Sequence, residues 1–214
     1  MVQKTLLLIA PCEKNDAFTE EFSSVAAKKV KEKAEQSGWN SIALEGSKAN
    51  KEEVAVALGN NNIDFLIHYG HGDPDEMRGE NDEEVININN IGEMKGKTIS
   101  TVSCQTTKIL GRESIQNQNI RSYIGYREKY YSYIGLQWIL DQLIQASIIA
   151  NQKLLEGKTC EEAYNSQVEA YNNLKILFFQ KYENTQDIRY MIAAVCTDFN
   201  CESLEQLGDS SARV

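Results

Sequence analysis

The residues best suited to chemistry in this chain stand at the ends of two apolar runs. Both histidines lie in the stretch FLIHYGHGD, where the first run ends and His71 is followed by Gly72. The second run, TISTVSC, ends in Cys104. A nearby imidazole can accept the proton of a thiol, and the resulting thiolate is a nucleophile. These residue types therefore predict nucleophilic catalysis, provided that the fold brings His71 and Cys104 together.

The pattern along the chain predicts elements that would do so. Short apolar runs alternate with stretches of helical spacing, and we predict strands at 5–10, 41–46, 64–69, 98–104, 121–126 and 190–196. This alternation is typical of a three-layer α/β/α sandwich with a mostly parallel central sheet of about six strands. Ligands bind beyond the carboxyl ends of such strands. If the strands that carry His71 and Cys104 are neighbours, the two side chains face one cleft.

Helix signals fit the same architecture. We predict a long helix over about 136–155, and then a helix that begins at a capping box of Thr159 and Glu162 and runs to about residue 180. The length fits a single domain over 1–214, with its core at about 5–197. The tail after Asp198 is polar and is expected to pack loosely.

Composition excludes several classes of function. The formal net charge is −9, which argues against binding to nucleic acid or to an anionic membrane, because both reward a basic surface. The five cysteines are odd in number and form no CxxC pair, which favours a reducing compartment over a disulfide framework. Nothing resembles a signal peptide, and no apolar run approaches the ~18 residues that span a bilayer. We therefore expect a soluble, cytoplasmic protein.

The two strand-end blocks, DFLIHYGHGD and TISTVSCQTT, resemble the paired signature of the caspase, gingipain, legumain and separase group (clan CD) of cysteine peptidases. In that group one strand ends in His-Gly, and another ends in a cysteine preceded by a small residue. The two blocks are most similar to those of gingipain-like and CHAT-type domains. The stretches IRSYIGYRE and KLLEGKTCEEAYNSQ add weaker likeness, so that the resemblance covers about Leu6 to Cys196.

The resemblance implies a caspase-like fold and the activity of a cysteine endopeptidase. Residue by residue, it implies that His71 is the general base and acid, that Cys104 is the nucleophile and that Gly72 is the oxyanion glycine. The backbone N–H of Cys104 is a candidate second donor to the oxyanion. Dyads of this kind need no third acidic residue. His68 falls inside the predicted strand, and we interpret it as a packed or hydrogen-bonded strand residue.

Two segments near the predicted cleft supply candidate substrate-binding residues. The segment from Asp73 to Glu84 holds seven acids and one base, and we predict a solvated loop there. By the family's habit, a charged pocket reads the residue before the scissile bond, and the acidic chain favours Arg or Lys over Asp. Asp73 and Asp75 are therefore candidates, unless the segment is only a soluble loop. Its carboxylates could also bind Ca²⁺, although their spacing matches no EF-hand loop.

The aromatic run YREKYYSYIG follows the predicted fifth strand. Tyr126, Tyr130 and Tyr131 are candidates for the wall of a substrate groove. The alternatives are that these rings cover an apolar edge of the sheet or meet a partner.

Other functions remain open at this point. The chain could be a catalytically silent or partner-activated caspase-like module that binds or regulates. A metal site of His68, His71, Asp73 and Cys104 is the third hypothesis. Histidines three residues apart on a strand point to opposite faces, so we predict no metal. The expected partners are a protein or peptide substrate and, as an open alternative, a regulatory protein.

Overall fold

The computed structural model describes residues 3–60, 62–133 and 135–214. These residues contain two sheets and seven α-helices. The six strands of the central sheet are β1 (Thr5–Ala10), β2 (Asn40–Glu45), β3 (Phe65–Tyr69), β7 (Thr98–Val102), β8 (Ser122–Tyr126) and β9 (Leu204–Gly208). A small second sheet contains β4 (Gly72–Asp73), β5 (Glu76–Arg78) and β6 (Glu84–Asn87). The helices are α1 (Ser24–Gln36), α2 (Lys51–Asn60), α3 (Leu110–Asn117), α4 (Gln137–Ser147), α5 (Ile149–Leu155), α6 (Cys160–Thr185) and α7 (Ile188–Ser203).

The central sheet is buried on both faces, which its sequence explains. In β1, Leu6 and Leu8 belong to one hydrophobic cluster, whereas Leu7 and Ile9 belong to a second cluster. Because side chains alternate across a strand, the two clusters lie on opposite faces of the sheet. The first cluster contains apolar residues of α1 and α4–α7, and the second contains apolar residues of α2 and α3. The molecule therefore has three layers.

The strand order places the chemistry-bearing segments side by side. The order is β2-β1-β3-β7-β8-β9, and only β9 runs antiparallel to its neighbour. In the register of β3 with β7, His68 pairs with Thr101 and Tyr69 pairs with Val102. The predicted mostly parallel sheet of about six strands is confirmed, and so is the adjacency of the two strands that precede His71 and Cys104.

The strand predicted at 190–196 is wrong, because these residues lie within α7. A short apolar run can belong to a strand or to a buried helix, and periodicity over so few residues cannot separate them. The burial pattern of α7 is helical, since Ala193, Ala194, Thr197 and Asn200 are buried. The sixth strand of the sheet is instead β9, which pairs with β8.

The segment after Asp198 also differs from the expected loose tail. It completes α7, forms β9 and ends with Ala212 and Val214 buried against the core. The amide hydrogen of Cys160 donates a hydrogen bond to the Ala212 carbonyl. Leu204 and Leu207 are separated by two polar residues, so the apolar pattern of this segment is too sparse to predict a buried strand. The packed core therefore extends well beyond residue 197.

The acidic segment from Asp73 to Glu84 is more ordered than the predicted solvated loop. It contributes to all three strands of the small antiparallel sheet, and Met77 is fully buried. Arg78 makes ion pairs with Asp73, Glu76 and Asp82. One arginine thus offsets the mutual repulsion of three carboxylates, which lets so acidic a segment fold back on itself.

The helical predictions are confirmed in outline. The predicted long helix at 136–155 is divided into α4 and α5 near Ile148, and α6 begins at the predicted capping box but continues to Thr185. No helix among the described residues combines the length and the apolar character that a membrane crossing requires.

The capping box of α6 yields a stability prediction. The Thr159 hydroxyl accepts a hydrogen bond from the Glu162 amide, and the Glu162 carboxylate accepts one from the Thr159 amide. We expect Thr159→Ala to lower the free energy of unfolding by about 1 kcal/mol, because an amide at the start of the helix loses its partner. Urea unfolding measures the loss. Ser166→Ala, on the same helix but away from its end, is the control; an equal loss there would contradict the assignment.

Candidate active site

The site forms where the segments after β3 and β7 meet at the carboxyl edge of the sheet. Gly72 packs tightly against the second segment. A Cβ added at Gly72 would lie 2.8 Å from the Cβ of Ser103 and 3.1 Å from the carbonyl oxygen of Cys104. A side chain at position 72 would therefore push the two segments apart. The fold thus brings the His71-Gly72 backbone directly against the residues around Cys104.

Cys104 is a partly buried thiol held in a tight loop. Its Sγ accepts a hydrogen bond from the Tyr130 amide at 3.4 Å. Gln105, the next residue, has φ +60, a left-handed conformation that is uncommon outside glycine. Burial raises the pKa of the Cys104 thiol; the Tyr130 N–H and Lys129 lower it, and Asp73 raises it further. The net pKa is raised, so the thiol needs a base if it is to react at neutral pH.

His71 has an acidic partner that the sequence analysis did not assign. Its Nε2 lies 2.5 Å from Oδ2 of Asp16, and its ring is 5.5 Å from the ring of Phe18. Burial raises the pKa of Asp16, but the hydrogen bond and charge of His71, together with the Phe18 amide, outweigh it and lower the pKa. Asp16 is therefore a carboxylate at neutral pH. When the His71 imidazole is neutral, Asp16 accepts a hydrogen bond from Nε2–H. Nδ1 then carries the lone pair and can accept a proton.

A signal for Asp16 does exist in the sequence. We expected no third acidic residue, because dyads of this kind need none. Because β1 is the neighbour of β3 in a parallel sheet, the loop after β1 emerges at the same edge as His71. The topology therefore places the Asp16 carboxylate beside His71, although the two residues are 55 positions apart in the chain.

His71 and Cys104 are close through their backbones and their shared neighbours. Phe18 contacts the ring of His71, and it also packs against Tyr130 with ring centroids 6.1 Å apart. No hydrogen bond within the described ranges joins the His71 ring to Sγ of Cys104. The backbones of the two segments are therefore in contact, whereas the thiol and the imidazole are not directly bonded.

His68 has the structural role that its position predicted. It is fully buried in β3, with Nδ1 2.6 Å from the Ser103 hydroxyl and Nε2 2.8 Å from the Arg78 carbonyl. A carbonyl only accepts, so Nε2 carries the proton and Nδ1 accepts from Ser103. Burial lowers the pKa of His68 to about 4, against an ordinary value of 6.5. A neutral His68 thereby fixes the side chain of Ser103, which directly precedes Cys104.

The candidate substrate-binding residues divide into two groups. Tyr126 and Tyr130 have buried rings whose hydroxyls bond to Tyr171 and Ser147, so the structure contradicts their assignment to a groove wall. These two tyrosines belong to the core, where each hydroxyl finds a polar partner. Tyr131 is 43% exposed.

The two acidic candidates are accessible. Asp73 has 48% of its side chain exposed and accepts a hydrogen bond from Arg78, and Asp75 is exposed. Among the described residues, no three His, Cys, Asp or Glu side chains form a group that could hold a metal ion. The geometry thus offers a thiol, an imidazole with its carboxylate partner, and two accessible acids at one edge of the sheet.

Comparisons with known proteins bear on the fold alone. No protein-family model and no curated protein sequence matches the chain. The crystal structure of the Arg-specific cysteine proteinase gingipain R (RgpB) matches with a TM-score of 0.66 and 13% identity, over 98% of this chain and 47% of that one. The complex of the pro- and mature domains of RgpB from Porphyromonas gingivalis matches with a TM-score of 0.59 and 11% identity, over 99% and 48%. A third match is described only as a protease structure, with a TM-score of 0.56 and 14% identity over 99% and 48%.

These matches confirm the predicted fold. The six-stranded, mostly parallel sheet with flanking helices is the caspase-like fold of gingipain R. The chain spans about half the length of the chains that it matches.

The buried His68 predicts a specific dependence of stability on pH. Between about pH 6.5 and 4, the unfolded chain binds a proton at this residue and the folded chain does not. The free energy of unfolding therefore falls on acidification, with a contribution from His68 of about 1.4 kcal/mol per pH unit in this window. We expect His68→Gln to lose this contribution in urea unfolding measured across the window. The control is Thr197→Val, which changes a buried polar side chain that carries no titratable group and should keep the parent slope. An unchanged slope in His68→Gln would contradict the assignment.

Proposed function

We propose that this chain is a cysteine endopeptidase with Cys104 as the nucleophile and His71 as the general base and acid. The Asp16 carboxylate holds the Nε2 proton of His71. The observation that carries the proposal is the bond between Asp16 and His71 at the same edge of the sheet where Cys104 emerges. A structural role alone does not require a carboxylate, a half-exposed imidazole and a thiol to converge on one cleft.

The proposed reaction has two halves, acylation and deacylation, and His71 transfers protons in both. The Cys104 thiol gives its proton to Nδ1 of His71, and Sγ attacks the peptide carbonyl carbon. The amides of Gly72 and Cys104 are the candidate donors to the resulting oxyanion. The imidazolium, stabilised by Asp16, then protonates the leaving amine as the C–N bond breaks, which leaves a thioester on Cys104. His71 next takes a proton from water as the water oxygen attacks the thioester carbonyl carbon. The C–S bond then breaks, the acid product leaves, and the imidazolium returns its proton to the Cys104 thiolate.

A silent or partner-activated module is the second candidate. It is favoured by the raised pKa of the Cys104 thiol and by the lack of a hydrogen bond from Cys104 to His71 in the described structure. In that case a regulatory protein would have to bring the thiol and the base together.

The role of Asp16 gives the main test of the proposal. We expect Asp16→Asn to lower kcat for peptide cleavage by at least about tenfold, because an amide can donate to Nε2 and favour the wrong tautomer. Cys104→Ala should abolish cleavage. Glu21→Gln, which removes an exposed charge near the same loop, is the matched control and should leave kcat unchanged. Full activity in Cys104→Ala would overturn the proposal, and full activity in Asp16→Asn would remove Asp16 from it. If no variant and no parent protein cleaves, the silent module is favoured.

We propose further that the enzyme cleaves after a basic residue. Asp73 is two residues beyond His71, its carboxylate is half exposed, and its charge acts on the Cys104 thiol. A carboxylate at this position can pair with an arginine or a lysine of the substrate. Arg78 already bonds to one oxygen of Asp73, so the substrate would share this carboxylate with Arg78.

A comparison of peptides tests the role of Asp73. We expect Asp73→Asn to lower kcat/KM for a peptide cleaved after Arg by about tenfold, equal to about 1.4 kcal/mol, with little effect on an uncharged analogue. Asp82→Asn removes another partner of Arg78 and serves as the control. An equal loss in both variants would assign the effect to Arg78 rather than to recognition. A parent enzyme that prefers Asp over Arg would contradict the basic specificity outright.

A further inference from the structure

The segment Arg127–Tyr131, called the clamp segment here, is fixed on two sides. On one side it contacts the loop of the nucleophile, since the Gln105 amide donates to the Glu128 carbonyl and the Tyr130 amide donates to Sγ of Cys104. On the other side it is bonded to the end of α7. The clamp segment therefore lies between α7 and Cys104, and its shape sets where the Tyr130 N–H points.

Asn200 of α7 makes the main attachment on the far side. Its Oδ1 accepts from the Tyr131 amide at 2.8 Å, and its Nδ2 donates to the Tyr131 carbonyl at 2.7 Å. Asn200 is fully buried. A buried side chain that bonds both polar groups of one residue fixes the orientation of the two peptide planes that flank it. One of these planes joins Tyr130 to Tyr131.

The remaining contacts leave the clamp segment little freedom. The Arg127 amide donates to the Ser203 carbonyl at 2.8 Å, so α7 holds both ends of the segment. The Tyr130 hydroxyl lies 2.6 Å from the Ser147 hydroxyl, and its ring packs against Tyr126 and Phe22. Tyr130 cannot rotate out of this site without breaking a buried hydrogen bond. Its amide is thus a preorganised donor, whose orientation is set before any substrate binds.

We propose that Asn200 is a positioning residue for the nucleophile: it holds the clamp segment so that the Tyr130 N–H stabilises the thiolate of Cys104. The role of the Cys104 thiolate as a nucleophile rests on the proposed function. The hydrogen bonds of Asn200 and Tyr130 do not depend on it. A hydrogen bond from an amide favours the charged form of its acceptor. Burial disfavours the thiolate of Cys104, and the Tyr130 amide offsets part of that effect. The charged groups that also act on this thiol are Asp73, which raises its pKa, and Lys129, which lowers it. Lys129 belongs to the clamp segment, so Asn200 holds this charge in place together with the Tyr130 N–H.

The test is the pH dependence of alkylation of Cys104 by iodoacetamide in the whole chain. Mass spectrometry measures the rate at Cys104, with Cys12 as the reference thiol in the same molecule. We expect Asn200→Ala to raise the midpoint of the pH profile by about one unit, so that the rate near neutral pH falls about tenfold. The plateau at high pH should not change. A variant that merely loosened the structure would raise the plateau by exposing the thiol and would not move the midpoint upward.

Two further variants keep the test decisive. Thr197→Val is the matched control, because the Thr197 hydroxyl is buried on the same helix but bonds only to the Ala193 carbonyl. It should leave the midpoint unchanged. Asn200→Ser removes the side-chain amide without adding a charge; it should also raise the midpoint, and it replaces the alanine variant if that variant does not fold. A midpoint equal to that of the parent protein in the Asn200 variants, or an equal rise in Thr197→Val, would overturn the proposal.

The alkylation profile and peptide cleavage separate the two proposals. A midpoint that depends on Asn200 in a chain that cleaves no peptide supports the positioning role and contradicts the proposed function. A peptidase whose thiol titrates without regard to Asn200 contradicts the positioning role alone.

Discussion

The parallel pairing of β3 with β7 is the constraint on which the candidate site depends. Both strands are buried along their whole length, and their register brings His68 opposite Thr101. A shift of this register would carry His71 and Gly72 away from Cys104, and it would also break the bond between His68 and Ser103. The packing of the core therefore holds the site in place, because the register that buries the apolar side chains is also the register that aligns the two reactive ends.

The groups at the site balance opposing electrostatic effects. Burial disfavours the thiolate of Cys104, whereas the Tyr130 amide favours it. The Asp16 carboxylate accepts a hydrogen bond from Nε2–H of the neutral His71, so that Nδ1 carries the lone pair. Neutral His68 sits behind the site and carries no charge that would compete. The result is a thiol whose raised pKa favours the protonated form and whose backbone donor, the Tyr130 amide, is already in place.

The sequence predicts much of this structure, for reasons that the structure makes clear. Residues 6–10 form a continuous apolar run, and residues 65–69 are apolar apart from His68; such runs are typical of strands buried in a parallel sheet. The run at 190–196 is equally apolar but belongs to α7, since tertiary packing rather than local pattern decides between helix and strand there. Asp16 was missed because its partner is distant in the chain. The hydroxyls of Tyr126 and Tyr130 find buried partners, and no local pattern in the sequence could show that.

The most direct measurement of the central claim is covalent trapping with a peptidyl acyloxymethyl ketone that carries Arg next to the reactive carbon. Such a compound reacts at a thiolate that a peptide can reach, and tryptic mass mapping identifies the modified cysteine. The account predicts a single adduct at Cys104 in the parent chain and a much slower reaction in His71→Ala. Modification spread over the other four cysteines, or a rate at Cys104 that does not depend on His71, would contradict the claim that these two residues form one active centre.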